Sequence, residues 1–375
     1  MSFDAFIGNK LAIGILKKAL ETRRIASAYL FHGPDGVGKS LAARNFAKAL
    51  VCENEGSDSC DVCSSCRRVD SDNHPDVHWY KPVGKMRLVK MASIQELITQ
   101  TGLKPFESKW KLFVLLEADR MRAESQNAVL KTLEEPPGQT VLILVSSNAA
   151  GLLPTIVSRC QEICFLPIPR EEMERTIEEK WGLGAEEARL VASLASGSLG
   201  SAKRLLDREN LSRRKLLLTL LSDISHRSFR EVEDTLRAMD EELGEMAKAL
   251  RGKEEKRLKA QGKTMTAEER DEQMDEVNAN VESIVRQEVE DILNQLAFWY
   301  RDLLIVKENA SAELVTNLDM MESLRSSAAE MTVHGILSRL GAVEEARRAI
   351  GLNLSLTSCL EVFFLRGGEA AVKPS

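Results

Sequence analysis

Hydrophobic positions change rhythm partway along the chain. Ala28-Tyr29-Leu30-Phe31 is a short apolar run that ends just before glycine. From Lys39 to about Val51, Leu41, Phe46 and Leu50 are spaced for one buried helical face. Residues 112–116 (LFVLL) and 140–147 (TVLILVSS) are continuous apolar runs, as in strands buried on both faces. Residues 162–168 read as a further strand and 76–80 as a weaker one. Residues 123–135 predict a helix that stops at Pro136-Pro137, because proline lacks the donor and disfavours helical geometry in the residue before it. Strands alternating with helices predict an α/β domain with a parallel sheet covered on both faces.

Pro167 and Pro169 mark a boundary. Beyond them the strand signal vanishes. Residues 170–180, 185–194 and 201–206 predict a small helical unit, with Ala195-Ser196-Gly197-Ser198 supplying a turn and cap before the last helix. From about Leu211 the chain reads as helices to near Arg366, with 367–375 a frayed tail. Residues 251–276 hold seven basic and eight acidic side chains. That run reads as a solvated helix, a mobile charged loop or a partner-binding arm.

The chain has 375 residues, enough for two or three domains. At 43% hydrophobic and 29% charged it is too apolar for wholesale disorder. The net charge of −6 argues against a chain-wide grip on nucleic acid and leaves room for a local basic face. The start, MSFDAFIGNK, lacks the pattern of a signal peptide, and no apolar run reaches the ~18–20 residues that span a bilayer. The expectation is a cytoplasmic protein with reduced thiols.

Gly33-Pro34-Asp35-Gly36-Val37-Gly38-Lys39-Ser40 fits the phosphate-binding pattern G-x-x-x-x-G-K-[ST], with a strand before it and a helix after. Gly33, Gly36 and Gly38 let backbone N–H groups curl round phosphate. Lys39 supplies charge near the β- and γ-phosphates, and Ser40 can ligate Mg²⁺. Four of the seven cysteines, Cys52, Cys60, Cys63 and Cys66, form C-x7-C-x2-C-x2-C. Four thiolates suit a closed, structural zinc site, with an iron–sulfur site or free thiols as the alternatives. Cys160, Cys164 and Cys359 lie in apolar surroundings and read as core. Glu117 and Asp119 follow LFVLL, where P-loop ATPases carry acidic residues that hold Mg²⁺ and orient water. Leu116 cannot hold a metal, which weighs against efficient hydrolysis. The plainer reading is that Glu117 and Asp119 cap the next helix.

Together these segments resemble the bacterial clamp-loader AAA+ family. The resemblance rests on Ala28–Ser40, the cysteine insert, and Glu117-Ala118-Asp119-Arg120-Met121. It extends through residues 127–137 (NAVLKTLEEPP), Ser146-Ser147-Asn148, and residues 153–161 (LPTIVSRCQ) with their Ser-Arg-Cys signature. It is highly specific over 1–165, weaker over 166–208 and faint beyond, apart from Asn353 and the apolar helix after it. It implies an AAA+ nucleotide domain at 1–166 with a zinc module at 52–66, a helical lid at 167–208, and a helical collar at 209–375. Leu216-Leu217-Leu218 and Leu220-Leu221 suit collar packing and suit intrachain packing equally.

The resemblance also implies roles. ATP or ADP with Mg²⁺ would meet Gly33, Gly36, Gly38, Lys39, Ser40 and Asn148. Arg159, of the Ser-Arg-Cys signature, would reach a neighbouring subunit's ATP. Motor subunits of the family carry aspartate where this chain has Leu116, and arginine where it has Gly200. Both departures imply a non-motor subunit with little or no ATPase of its own, working within the polymerase holoenzyme. A gamma/tau-type motor using Lys39, Ser40 and Glu117 is the alternative. The implied partners are the gamma/tau and delta subunits, the sliding clamp, and primed DNA through the complex, in a nucleoid-associated replisome without membrane contact. A third reading, a zinc-dependent nucleic-acid module, rests on Arg67 and Arg68 beside Cys66.

Overall fold

The computed structural model describes residues 2–54, 56–83, 88–222, 229–261 and 267–351. It divides into two compact units, one of Met1–Ala185 with Ala195–Ser201, the other of Glu186–Leu194 with Ala202–Ser375.

In the first unit, α1 (Lys10–Thr22) buries Ala12, Ile13, Leu16, Ala19 and Leu20, a helical stripe. Next come β1 (Ala28–His32), α2 (Lys39–Val51), α3 (Ser64–Asp70), β2 (Val77–Tyr80), α4 (Met91–Thr101) and β3 (Lys111–Leu115). The series continues with α5 (Ala123–Glu134), β4 (Thr140–Ser146), α6 (Pro154–Val157) and β5 (Gln161–Cys164). The strands form one sheet in the order β2-β3-β4-β1-β5, every neighbour parallel. Alternate strand residues feed opposite faces. Tyr29, Phe31, Leu112, Val114, Val141 and Ile143 join α1 and α2 in one core. Leu30, Phe113, Leu115, Leu142 and Leu144 join residues of α4, α5 and α6 in the other. Both faces being dry explains the continuous apolar runs.

Two elements differ from expectation. The strand expected over 162–168 ends at Cys164. Phe165 N still donates to His32 O at 2.8 Å, but Leu166 N turns to Asn9 Oδ1 at 2.7 Å and Pro167 has no donor. The helix expected from Ser201 begins at Leu199 as α9 (Leu199–Leu205), with Ser198 Oγ accepting Ser201 N at 3.1 Å. Of α7 (Arg170–Trp181), α8 (Ala185–Ala195) and α9, the first lies in the first unit, and α8 lies almost wholly in the second.

The second unit continues with α10 (Arg208–Ser222), α11 (Phe229–Gln261), α12 (Ala267–Lys307), α13 (Met321–Glu330) and α14 (Val333–Gly351). Leu217, Leu218, Leu220 and Leu221 pack inside the chain against Met239, Leu243, Leu293, Leu296 and Trp299, whereas Leu216 is exposed. Charged groups cross-link this core. Arg213 donates to Glu242 and Glu288, and Arg214 forks onto Asp319 and reaches Asn317. Asp302, fully buried, accepts Thr316 N, Asn317 N and Asn317 Nδ2. The described parts of 251–276 are helical, the last turns of α11 and the first of α12. Asn353, the helix after it, Cys359 and the expected tail lie outside the described residues.

Buried Asp76, just before β2, pins the loop ahead of β3. Its carboxylate accepts Phe106 N at 2.5 Å, Glu107 N at 3.0 Å, Ser108 N at 2.8 Å and Ser108 Oγ at 2.7 Å. Burial pushes its pKa up, but those donors outweigh it and hold the carboxyl below its usual range. The carboxylate therefore stabilises the fold above the unfolded pKa of about 3.9, and that contribution is lost as pH falls through the folded value. Asp76→Asn should cost about 2–3 kcal/mol at pH 7 in urea unfolding of the first unit, with the difference shrinking below about pH 4. A constant offset down to pH 2 would contradict the role given to its charge.

Candidate functional site

The glycine-rich loop leaves β1 at Gly33 and enters α2 at Lys39. Gly33, Gly36 and Gly38 have φ of 143°, 75° and 102°, where a side chain is strained. A Cβ at Gly33 would also lie 2.0 Å from Phe165 O. Gly38 is the N-cap of α2, so the unpaired N–H groups of that first turn face the loop. Lys39 is buried, and its Nζ donates to Gly33 O and Pro34 O at 2.6 Å each, with Asp35 Oδ1 at 3.4 Å. Burial lowers its pKa, opposed by Asp35 and then by Asp119 and Glu117. Incoming phosphate oxygens would replace the two carbonyls around this ammonium. Ser40 is exposed in the first turn of α2.

Glu117 follows β3 in a left-handed conformation, φ 50°. Asp119 accepts Ser146 Oγ at 2.7 Å and Ser147 N at 3.3 Å, tying the ends of β3 and β4 together. Neither acid caps the next helix, because the N-cap of α5 is Arg122 and makes no side-chain cap bond. Asn148 N donates to Ser146 Oγ at 3.1 Å, and Asn148 is exposed. Leu116 packs against the apolar core. Gly200 N donates to Gly36 O at 3.2 Å, and a Cβ on Gly36 would lie 2.0 Å from Ser198 Oγ. The Ser198–Gly200 turn thus meets the phosphate loop through backbone and a hydroxyl, with no charged side chain.

The four cysteines come together. Cys52 ends α2, Cys63 caps α3, and Cys66 is buried within α3. Their sulfurs all lie within 4.8 Å of one another, with Cys52 and Cys63 4.0 Å apart. Tetrahedral zinc with Zn–S near 2.3 Å needs S–S separations of about 3.8 Å, so a small contraction fits the donor set to the metal. Cys63 N donates to Cys60 Sγ and Cys66 N to Cys63 Sγ, each at 3.4 Å. The backbone N–H groups of Val62 and Cys63 bring the Cys60 thiol down to about 6, favouring thiolate. Burial pushes the Cys52 and Cys66 thiols up.

The same module uses up basic side chains. Lys48, buried on α2, donates to Asp61 at 2.5 Å and Asp70 at 3.4 Å. Arg44 donates to Val69 O at 2.6 Å and Asp72 at 2.7 Å and stacks on Trp79. Arg68 forks onto Glu107, leaving exposed Arg67 to stand without it in the nucleic-acid reading. Cys160 is half-buried, its thiol pushed up to about 12 chiefly by burial. Cys164, expected in the core, is exposed, because edge strand β5 buries Ile163 alone.

Arg159 lies between α6 and β5. Its Nε donates to Glu134 Oε1 at 2.7 Å and its Nη1 to Thr155 O at 2.9 Å, with the side chain 34% exposed. Strand β5 runs parallel to β1 with Tyr29 opposite Gln161 and His32 opposite Cys164. Arg159 therefore precedes the strands, while the phosphate loop follows them. The four paired residues of that register, at ~3.3 Å each, put at least about 10 Å of strand between the two.

A parallel sheet with a glycine-rich P-loop after β1 and acids after β3 defines a P-loop α/β domain with the AAA+ fold. Residues 8–169 match the family described as DNA polymerase III, delta subunit. The chain is 27% identical over 353 residues to DNA polymerase III subunit delta' of Bacillus subtilis, spanning 92% of each protein. It is 33% identical over 182 residues to the Pseudomonas aeruginosa delta' subunit, covering 48% of this chain and 56% of that one. It is also 31% identical over 212 residues to the B. subtilis tau subunit, covering 55% of this chain and 37% of that one. The similarity is thus to DNA polymerase III delta' and tau subunits, running nearly end to end for the B. subtilis delta' subunit and over about half of this chain for the others. Among the described residues, no helix is long and apolar enough to cross a membrane.

Purified protein should carry one zinc per chain by elemental analysis. Cys66→Ser should lower that toward zero and make the 52–70 segment the first cut by protease, with the sheet intact by circular dichroism. Full zinc content in Cys66→Ser would rule out the four-thiolate site.

Proposed function

We propose that this protein works as the delta'-type, non-motor subunit of a bacterial DNA polymerase III clamp loader. It helps the complex place a sliding clamp on primed DNA and supplies Arg159 to the ATP site of a neighbouring subunit. What supports the reading is the polarity of the sheet. Arg159 precedes β5, so it is remote from its own phosphate loop yet exposed. A guanidinium placed there can stabilise charge developing on a phosphoryl group only if another subunit brings the nucleotide. In the free chain Glu134 keeps it in one orientation.

The chain's own site suits binding better than turnover. The glycines, Lys39 and Ser40 can cradle the phosphates of ATP or ADP, and Mg²⁺ would supply charge neutralisation between them. Asn148 would face the nucleotide from the end of β4. Leu116 removes a metal ligand, and Gly200 offers only a backbone N–H, so nothing from that turn would hold the γ-phosphate. The cysteine cluster is read as structural zinc. Residues 167–208 would act as a lid, residues from about 209 as the collar joining gamma/tau and delta, and the complex would work at the nucleoid.

One observation favours the gamma/tau-type motor as the second reading, the complete Lys39–Ser40 signature with Glu117 after β3. Single-turnover hydrolysis by the pure chain separates the two. The non-motor reading expects nucleotide binding, lost in Lys39→Ala, with almost no hydrolysis. Robust hydrolysis abolished by Lys39→Ala would establish the motor. In the reconstituted complex, Arg159→Ala should leave nucleotide binding by this chain unchanged and slow the neighbour's site by roughly 10³-fold. An unaltered ATPase rate in that complex would end the trans-acting role.

A further inference from the structure

The first residues of the chain form a strap between the cysteine loop and the phosphate loop. Phe3–Ala5 make one 3-10 turn, whose leading N–H groups have no partner within the turn. Asp58, two residues before Cys60, accepts them, Oδ1 from Phe3 N at 3.0 Å and Oδ2 from Asp4 N at 3.4 Å. Ser59 N donates to the same Oδ1 at 2.8 Å, which fixes the carboxylate to the cysteine loop itself. Phe3 is buried in the α/β core.

The strap then crosses the phosphate loop. A Cβ built on Gly38 would lie 2.6 Å from Phe6 Cζ, so the Phe6 ring rests directly on the glycine that opens α2. Phe6 also packs on Phe165, ring centroids 6.5 Å apart. Asn9 Nδ2 donates to Val37 O at 3.4 Å and to Leu166 O at 3.1 Å, while Asn9 Oδ1 accepts Leu166 N. Residues 3–9 thus hang from the cysteine loop at one end and hold Val37 and Gly38 at the other. The strap is additionally tied to α1 by an ion pair between Asp4 and Lys17.

A second link runs along α2. Ser40, Arg44, Lys48 and Cys52 recur every four residues, a slowly turning stripe on one side of the helix. It begins at the proposed Mg²⁺ ligand and ends at a cysteine of the cluster. Arg44 and Lys48 fasten its middle to the segment that carries the other three cysteines.

We propose that the cysteine loop is a clasp for the phosphate loop, and that Asp58 is a positioning residue for nucleotide binding, holding residues 3–9 across Val37 and Gly38. The proposal rests on the reading that this P-loop binds nucleotide. A metal at the cysteines would order the loop that carries Asp58. Releasing the strap leaves every phosphate-contacting group in place but lets the cradle move, and a cradle that must order on binding holds its ligand less tightly.

The test uses the full chain, zinc-loaded, titrated with fluorescently labelled ADP, together with amide hydrogen exchange over residues 3–9 and 33–40. Asp58→Ala should keep one zinc per chain, speed exchange at Phe3 and Asp4, and weaken binding by roughly tenfold. Asp58→Asn, which keeps an acceptor oxygen without charge, should recover part of the affinity. Wild-type protein stripped of zinc by a chelator should lose affinity to a similar degree. Faster exchange at residues 3 and 4 with unchanged affinity would overturn the positioning role, and unchanged exchange would overturn the clasp. Wild-type protein that binds labelled ADP no better than Lys39→Ala would instead overturn the nucleotide-binding reading itself.

Discussion

Strand polarity is the constraint on which everything in the first unit depends. Five strands all point one way, so each loop leaving a strand arrives at the same edge of the sheet. The phosphate loop after β1, Glu117 after β3 and Asn148 after β4 gather there because parallel pairing permits no other arrangement. The same rule sends Arg159, which precedes its strand, to the far edge. One sheet therefore carries a glycine-rich loop at one edge and a guanidinium at the other. On the reading proposed above, that division of labour lets each subunit of an assembly complete the next.

Much of this was legible in the sequence because its signals are local. A glycine-rich loop between an apolar run and an amphipathic helix needs no tertiary information, and neither does a C-x2-C-x2-C spacing. What was not legible depends on contacts between distant segments. Helices α1, α3 and α4 were not singled out; α3 has seven residues and is stabilised by packing beside α2 more than by any pattern of its own. The length of β5 is set by Asn9, some 157 residues away, which captures Leu166 N. Cys164 looked like core because its neighbours are apolar, but an edge strand buries one side only. The capping role offered to Asp119 failed because its partners, Ser146 and Ser147, lie at the end of another strand.

Both units use buried charge to fix geometry, each with a carboxylate that accepts backbone N–H groups, Asp76 in the first and Asp302 in the second. In the first, buried Lys48 also joins α2 to Asp61 and Asp70. In the second, Arg213 and Arg214 join helices to one another and to the segment before α13. Apolar contacts slide with little penalty, whereas a forked arginine has one good geometry. In the second unit these pairs accordingly specify helix register, not just helix association.

The pairing of Arg159 with Glu134 carries a consequence for assembly. An arginine left free in solvent would sample many rotamers, and ordering it at an interface would oppose association by up to about 2 kcal/mol. Here the side chain already has two acceptors, Glu134 and Thr155 O, before any neighbour arrives. On the reading proposed above, docking becomes an exchange of one anion for another around a guanidinium whose shape is already set. Such an exchange leaves the count of ion pairs unchanged. It makes engagement depend on which anion is stronger, so a subunit interface built this way can register whether the neighbour presents a triphosphate or has already lost it.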